Sequence, residues 1–267
     1  MNRIDETFKK LKAENRTAFI PYITAGDPDI ASTKKLALIL ASAGADIIEL
    51  GIPFSDPLAD GPTIQKAVER ALKAGCSVKK VFNTVKELRN SIQTPLVFMT
   101  YYNIVFNYGI EKFVRDAKAS GADGIIVPDL PMEESCELKT IADKYEFDVI
   151  MLTAPTTPIE RFKKISSFSK GFVYYVSVTG VTGARDNISC NLKNEIKSFR
   201  KVTNKPLCVG FGVSSALQAK DVAKTTDGVI VGSAIIKKIE KNIRNKTKMM
   251  REVKTFASDI AKAVHGG

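Results

Sequence analysis

One carboxylate, Glu49, stands inside the apolar run Asp46-Ile-Ile-Glu-Leu-Gly51. Its neighbours all read as buried, and an ionised carboxylate there is costly unless it is paired or used. Burial lifts a carboxyl toward the range of a general acid or base, so one reading is proton transfer. The other is a buried ion pair or a hydrogen bond to backbone, and position alone leaves both open. The segment from Gly51 to Gln65 is long for a strand-to-helix connection, as functional lids often are. Its only charges are Asp56 and Asp60. Local chemistry reads Asp60-Gly-Pro-Thr as a helix N-cap and Asp56-Pro57 as the start of a turn. Three glycine clusters follow later: Gly180-Val-Thr-Gly183, Gly210-Phe-Gly212 and Gly232-Ser233. Glycines let backbone N–H groups approach an anion, and three clusters in consecutive units point to a phosphorylated ligand.

Other chemistries are excluded by what is missing. The single histidine among 267 residues is His265, beside the C-terminal glycines. A Ser-His-Asp triad, a Cys-His dyad or a multi-histidine metal site all need a well-placed imidazole. Cys76, Cys136, Cys190 and Cys208 form no CxxC pair, and they read as reduced structural thiols. No carboxylate cluster suggests a metal cage, so no metal is expected. The formal net charge of +11 is concentrated between Lys237 and Lys254, at the start of a helical pattern. There Met250, Val253, Phe256, Ile260 and Val264 mark a core-facing stripe with a solvated basic back, and no nucleic-acid motif accompanies it. A basic surface also attracts anionic substrates. The uncharged stretch from Asn90 to Ile110 carries too many polar groups for a membrane span and reads as a buried strand followed by a polar loop. No apolar signal core opens the chain, so a cytoplasmic location is expected.

These residues need elements to hold them. Eight short apolar runs alternate with helical patterns: Ala18–Thr24, Asp46–Leu50, Pro95–Tyr101, Gly124–Pro128, Asp148–Leu152, Phe172–Ser177, Leu207–Gly210 and Gly228–Val231. Several are apolar on both faces, as in a parallel sheet covered by helices. Ile64, Val68, Ala71 and Leu72 line one helix face ahead of Gly75; Ile30, Leu36, Ala37, Leu40 and Ala41 line another ahead of Gly44. A weak repeat links Gly44-Ala-Asp-Ile-Ile-Glu-Leu-Gly51, Gly121-Ala-Asp-Gly-Ile-Ile-Val-Pro128 and Asp227-Gly-Val-Ile-Val-Gly-Ser233. Each unit is a helix stop, a turn aspartate and a buried strand. The pattern predicts a single (β/α)8 barrel over residues 1–267, with an extra N-terminal helix. A short helix, Ala234–Ile239, capped by Ser233, would face a phosphate after the eighth strand. The alternative, an open doubly wound sheet, lacks its glycine-rich turn after the first strand. No lysine stands at a strand C-terminus, which argues against a Schiff-base aldolase.

The segment Glu49-Leu-Gly-Ile-Pro-Phe-Ser-Asp-Pro-Leu-Ala-Asp-Gly-Pro-Thr-Ile-Gln65 closely resembles the signature of tryptophan synthase α subunits. Pro21-Tyr-Ile-Thr-Ala-Gly-Asp-Pro28, Pro128-Asp-Leu-Pro131, Thr179-Gly-Val-Thr-Gly183, Gly210-Phe-Gly-Val-Ser214 and Gly228-Val-Ile-Val-Gly-Ser233 agree in order and spacing. The resemblance covers essentially the whole chain. It implies reversible retro-aldol cleavage of indole-3-glycerol phosphate to indole and glyceraldehyde 3-phosphate. Glu49 would carry both proton transfers, and Asp60 would hold the indole N–H, which replaces the local cap reading. Tyr22, Ile64, Thr100, Tyr102, Ile126, Tyr174 and Thr182 would line the indole and glycerol pocket. Gly183, Gly210, Phe211, Gly212, Gly232 and Ser233 would hold the phosphate. No cofactor is implied in this chain. The implied partner is a β subunit carrying pyridoxal phosphate, in an α2β2 complex, with Pro53, Asp56, Asn103 and Pro131 at the contact. Arg185 and Asp186 have no assigned role.

Two other classes share part of this pattern. A different phosphate-binding barrel enzyme acting on indole precursors would share the fold and the phosphate site but carry other strand-end catalysts, commonly a lysine. A binding-only regulator would keep the phosphate loops without both carboxylates.

Overall fold

The computed structural model describes residues 2–176, 185–210 and 212–266. Eight parallel strands close into a barrel in sequential order: β1 (Ala18–Thr24), β2 (Ile48–Gly51), β3 (Leu96–Met99), β4 (Gly124–Ile126), β5 (Asp148–Thr153), β6 (Val173–Val176), β7 (Leu207–Gly210) and β8 (Gly228–Val231). Each overlaps the apolar run expected for it, and β1, β7 and β8 coincide with theirs. Closure comes from β8 pairing with β1, Ala18 opposite Gly228 and Pro21 opposite Val231.

The helices follow the strands: α1 (Arg3–Ala13), α2 (Ile30–Ser42), α3 (Pro62–Lys73), α4 (Val78–Leu88), α5 (Tyr102–Tyr108), α6 (Ile110–Ser120), α7 (Cys136–Lys144), α8 (Ile159–Phe168), α9 (Arg185–Arg200), α10 (Ala216–Ala223), α11 (Ser233–Lys241) and α12 (Lys246–His265). A 3-10 turn, Met132–Glu134, precedes α7. The extra helix α1 plugs the N-terminal end of the barrel. Ile4, Phe8 and Leu11 pack onto interior side chains such as Ile20, Val97, Ile150 and Phe172. Among the described residues no helix is long and apolar enough to cross a membrane.

The repeated turn aspartates have a shared structural task. Asp46 accepts the backbone N–H of Phe19 at 2.8 Å, Asp123 that of Leu96 at 2.8 Å, and Asp227 that of Leu207 at 2.6 Å. Each carboxylate also meets a partner with donor nitrogens: His265 for Asp46, Arg89 and Arg3 for Asp123, Arg200 for Asp227. Between β5 and β6 the hydroxyl of Ser169 takes this place and accepts the N–H of Met151 at 2.9 Å. The N-terminal end of the barrel is therefore tied by charge-assisted bonds, which are stronger than neutral ones.

Four local expectations are corrected. The polar loop after the third strand is helical: Tyr102–Tyr108 form α5, anchored by Val105 in the core. Leu72 on α3 is exposed, and Ala67 takes the buried place beside Ile64, Val68 and Ala71. On α12 the buried stripe runs through Met249, Val253, Ala257, Ile260, Ala261 and Val264. Met250 and Phe256 sit at its edge, because two adjacent apolar residues leave the phase of a helical stripe undecided. Ser233 is the first residue of α11 rather than its cap; Gly232 holds the cap position. Cys208 is fully buried, as expected, and burial pushes its thiol well up. The side chain of Cys190 lies outside the described residues.

Candidate active site

A cavity of about 420 Å3 opens at the C-terminal rim of the barrel, where enzymes of this architecture keep their sites. Glu49, Tyr22, Asp60, Ile64 and Tyr174 line it, with Gly210, Gly212, Gly232 and Ser233 from the ends of β7 and β8. These nine residues, far apart in the chain, are brought together on its walls.

Glu49 is 1% exposed, and neither of its carboxyl oxygens has a hydrogen-bond partner. This removes the ion-pair and backbone readings left open by the sequence. Burial, followed by the nearby negative charge of Asp60, pushes its pKa up to about 8. A carboxyl with such a value holds its proton at neutral pH and exchanges it readily, which is what a general acid/base needs.

Its surroundings follow from strand register. Tyr22 on β1 pairs with Glu49 on β2, which brings the phenol over the end of β2. A side chain on Gly51 would come within 2.1 Å of the Tyr22 hydroxyl, so only glycine leaves the tyrosine this place. The Tyr22 hydroxyl is 3.2 Å from Thr24 Oγ1. Tyr174 is half-buried, and its withdrawal from water together with the charge of Glu49 holds its phenol protonated. A side chain at Gly210 would come within 2.7 Å of the Tyr174 hydroxyl.

Asp60 does not cap α3. The cap is Gly61, with no side-chain bond. The Asp60 carboxylate turns inward instead and accepts a hydrogen bond from the Tyr101 hydroxyl at 3.1 Å. That hydroxyl in turn accepts the N–H of Ala59 at 2.9 Å, and the Tyr101 ring lies 5.3 Å from Phe54. Burial raises the Asp60 carboxyl and the Tyr101 bond opposes that rise.

The pocket around β3 differs from expectation by one residue. Thr100 and Tyr102 are not on the cavity wall; Met99 is, and Tyr101 reaches Asp60. Thr100 is buried and donates to the Ile52 carbonyl at 3.3 Å. Tyr102 opens α5, with its N–H on Asp129 at 2.9 Å. Ile126 lies in the packed interior layer of the barrel. Side chains alternate along a strand, so a slip of one residue moves every side chain to the other face. The cavity also takes in Ala59, Pro128, Leu152, Val176 and Ile230, which the sequence did not single out. Leu152 and Ile230 could have been found by carrying the inward parity of Glu49 around the sheet. Thr182, Gly183 and Phe211 lie outside the described residues.

The anion end is built from backbone. Gly212 has φ +51 and open space where a side chain would stand. Gly232 leads into α11, where the Gly232 carbonyl takes the N–H groups of Ile235 and Ile236, and those of Ser233 and Ala234 precede the first helical bond. Such a terminus favours an anion. Around the rim Asp56, Asn103 and Pro131 are on the surface, whereas Pro53 is buried. Leu58 at 92% and Phe106 at 62% exposure stand on the loop of Asp56 and on α5 with Asn103.

Fold and site together define a barrel enzyme of the acid/base class, built for a ligand with an apolar body and an anionic tail. The comparisons with known proteins are specific. The family model for the tryptophan synthase alpha chain matches residues 8–265. The tryptophan synthase alpha chain of Thermoanaerobacter sp. (strain X514) is 49% identical over 260 residues, 97% of this chain and 98% of that one. The crystal structure of tryptophan synthase subunit alpha from Legionella pneumophila str. Paris superposes with a TM-score of 0.92 at 39% identity, covering 99% of this chain and 98% of that one. A structure of Mycobacterium tuberculosis tryptophan synthase gives 0.90 at 35% identity, covering 100% and 99%. The chain belongs to the tryptophan synthase alpha chain family.

Proposed function

We propose that this chain, acting as one barrel domain, cleaves indole-3-glycerol phosphate to indole and glyceraldehyde 3-phosphate. The observation that carries the mechanism is the unpartnered, buried carboxyl of Glu49 facing the cavity with its pKa near 8. Protonated Glu49 gives its proton to the ring carbon bearing the glycerol chain. The ring becomes cationic, and the Asp60 carboxylate at the ring N–H stabilises that charge. The Glu49 carboxylate then takes the proton of the neighbouring side-chain hydroxyl. The carbon–carbon bonding pair returns to the ring as the aldehyde forms, so indole leaves neutral and Glu49 regains its proton. Tyr22, Ile64, Met99, Leu152 and Tyr174 enclose the organic body. Gly210, Gly212, Gly232 and Ser233 offer backbone N–H groups to the phosphate, with Gly183 and Phe211 as further candidates.

The alpha chain itself uses no cofactor; pyridoxal phosphate belongs to the β subunit that receives the indole. The β subunit is assigned to the rim, where exposed Leu58 and Phe106 accompany Asp56, Asn103 and Pro131. Two large apolar side chains left exposed on segments of the same rim support that placement. Free Cys76, Cys136 and Cys208 accord with a reducing compartment, and we assign the cytoplasm.

The test is indole release from indole-3-glycerol phosphate, with and without a cognate β subunit, for the native chain and Glu49→Gln. Activity that rises with β and falls by three orders of magnitude or more in the variant is expected. No indole from the native chain with β present refutes the assignment. Turnover surviving in Glu49→Gln refutes the role of Glu49.

A further inference from the structure

A second cavity, about 210 Å3, lies outside the barrel wall at the same rim, among β5, the Met132–Glu134 turn and α8. Along β5, Ile150 and Leu152 face the barrel interior while Val149 and Met151 pack into the helical layer. Thr153 follows Met151 outward by the two-residue alternation of a strand. It lines this cavity, is 4% exposed, and its hydroxyl has no hydrogen-bond partner. The other polar side chains on the walls are already engaged. Thr157 Oγ1 accepts the N–H of Ala154 at 3.1 Å, and Arg161 pairs with Glu133 at 2.9 Å. The remaining surface is apolar, chiefly Leu130, Met132, Met151, Leu152 and Ile165.

These features select an occupant. A water molecule needs two to four polar partners and finds one free hydroxyl. An anion finds Arg161 already neutralised. An apolar cavity of about 150 Å3 is enough to hold benzene, so this one has room for a somewhat larger flat ring. A ring N–H would meet the Thr153 hydroxyl, the methionine thioethers adapt to ring edges, and the Arg161 guanidinium suits a ring face. Pro128, Leu152 and Val176 belong to the walls of this cavity and of the active-site cavity alike.

We propose that this cavity is a second binding chamber, for an uncharged flat aromatic bearing one N–H, and that it receives indole released in the active site. The proposal rests on the lyase reading above. The chamber holds the product one side-chain layer from where it forms, with Thr153 as hydrogen-bond acceptor and Arg161 on the solvent side.

Methionine methyl NMR reads the two cavities separately, because Met99 lines the active site and Met132 and Met151 line the chamber. The full chain, labelled at its methionine methyl groups, is titrated with indole and with indene, the carbocycle lacking the N–H. Thr153→Val keeps the shape and removes an unpartnered hydroxyl, so it folds at least as well as the native chain. Indole is expected to shift Met132 and Met151. Their midpoint should rise about two- to tenfold in Thr153→Val, the ordinary worth of one hydrogen bond, with the Met99 midpoint and all indene midpoints unchanged. Silent Met132 and Met151 at saturating indole overturn the chamber, as does an unchanged midpoint in Thr153→Val. Failure of the lyase reading looks different: no indole is released from indole-3-glycerol phosphate, whatever the methionines report.

Discussion

Glu49→Gln should abolish the reaction and, at alkaline pH, make the protein more stable. The folded chain keeps the Glu49 proton up to about pH 8, whereas an exposed glutamate loses it near 4.5. Between these values the folded state binds more protons than the unfolded one, so the stability contributed by Glu49 falls as pH rises. Below 4.5 both states are protonated and the carboxyl costs nothing by this route. Above 8 both are ionised, and the folded state carries the whole cost of a buried charge. At about 1.4 kcal/mol per pH unit, that interval is worth on the order of 3–5 kcal/mol. Glutamine never ionises, so the variant is spared it. The assay is urea unfolding of both proteins at pH 5, 7 and 9; other carboxylates cancel in the difference. The advantage of Glu49→Gln should be below about 1 kcal/mol at pH 5 and reach its plateau by pH 9. An advantage constant across pH, or a variant less stable at pH 9, refutes the reasoning.

Tyr101→Phe removes the hydroxyl between Asp60 and the Ala59 N–H. Its kcat/KM for indole release should fall roughly tenfold, as for about 1.4 kcal/mol of lost positioning, while Tyr102→Phe stays within about twofold. Gly51→Ala puts a methyl 2.1 Å from the Tyr22 hydroxyl; overpacking by about 1–3 kcal/mol should lower the melting temperature and displace Tyr22 from the site. Arg70 holds the fully buried Asp27 through two bonds at 2.8 and 2.9 Å. Arg70→Met should therefore cost about 3–5 kcal/mol in urea unfolding, and the double variant Asp27→Leu, Arg70→Met should recover most of it.

The barrel was legible because its strands are short apolar runs and its helices carry clear stripes. Glu49 was legible for the same reason: a lone charge in a run that must be buried stands out. Asp60 was not, since Asp60-Gly-Pro-Thr is locally a good cap, and the bond that turns it inward comes from Tyr101, 41 residues away. The slip from Met99 and Tyr101 to Thr100 and Tyr102 has a related cause. Leu96-Val-Phe-Met is apolar on both faces, so nothing within it says which residues point inward. The parity comes only from pairing with β2, where Glu49 lies opposite Val97 and Gly51 opposite Met99. Leu58 and Phe106 escaped because exposure is a property of the folded rim.

The carboxylate and serine ties at the N-terminal end join β1 to β2, β3 to β4, β5 to β6, and β7 to β8. The ring is thus four quarters, each a contiguous stretch of chain with its own internal clasp. New chain ends placed between quarters, for instance after β2 or after β6, leave every clasp within one unbroken segment. Ends placed in α2 or α6 split a clasp between the two extremities of the rearranged chain. The places where this chain tolerates circular permutation should therefore alternate around the ring, every second crossover permissive.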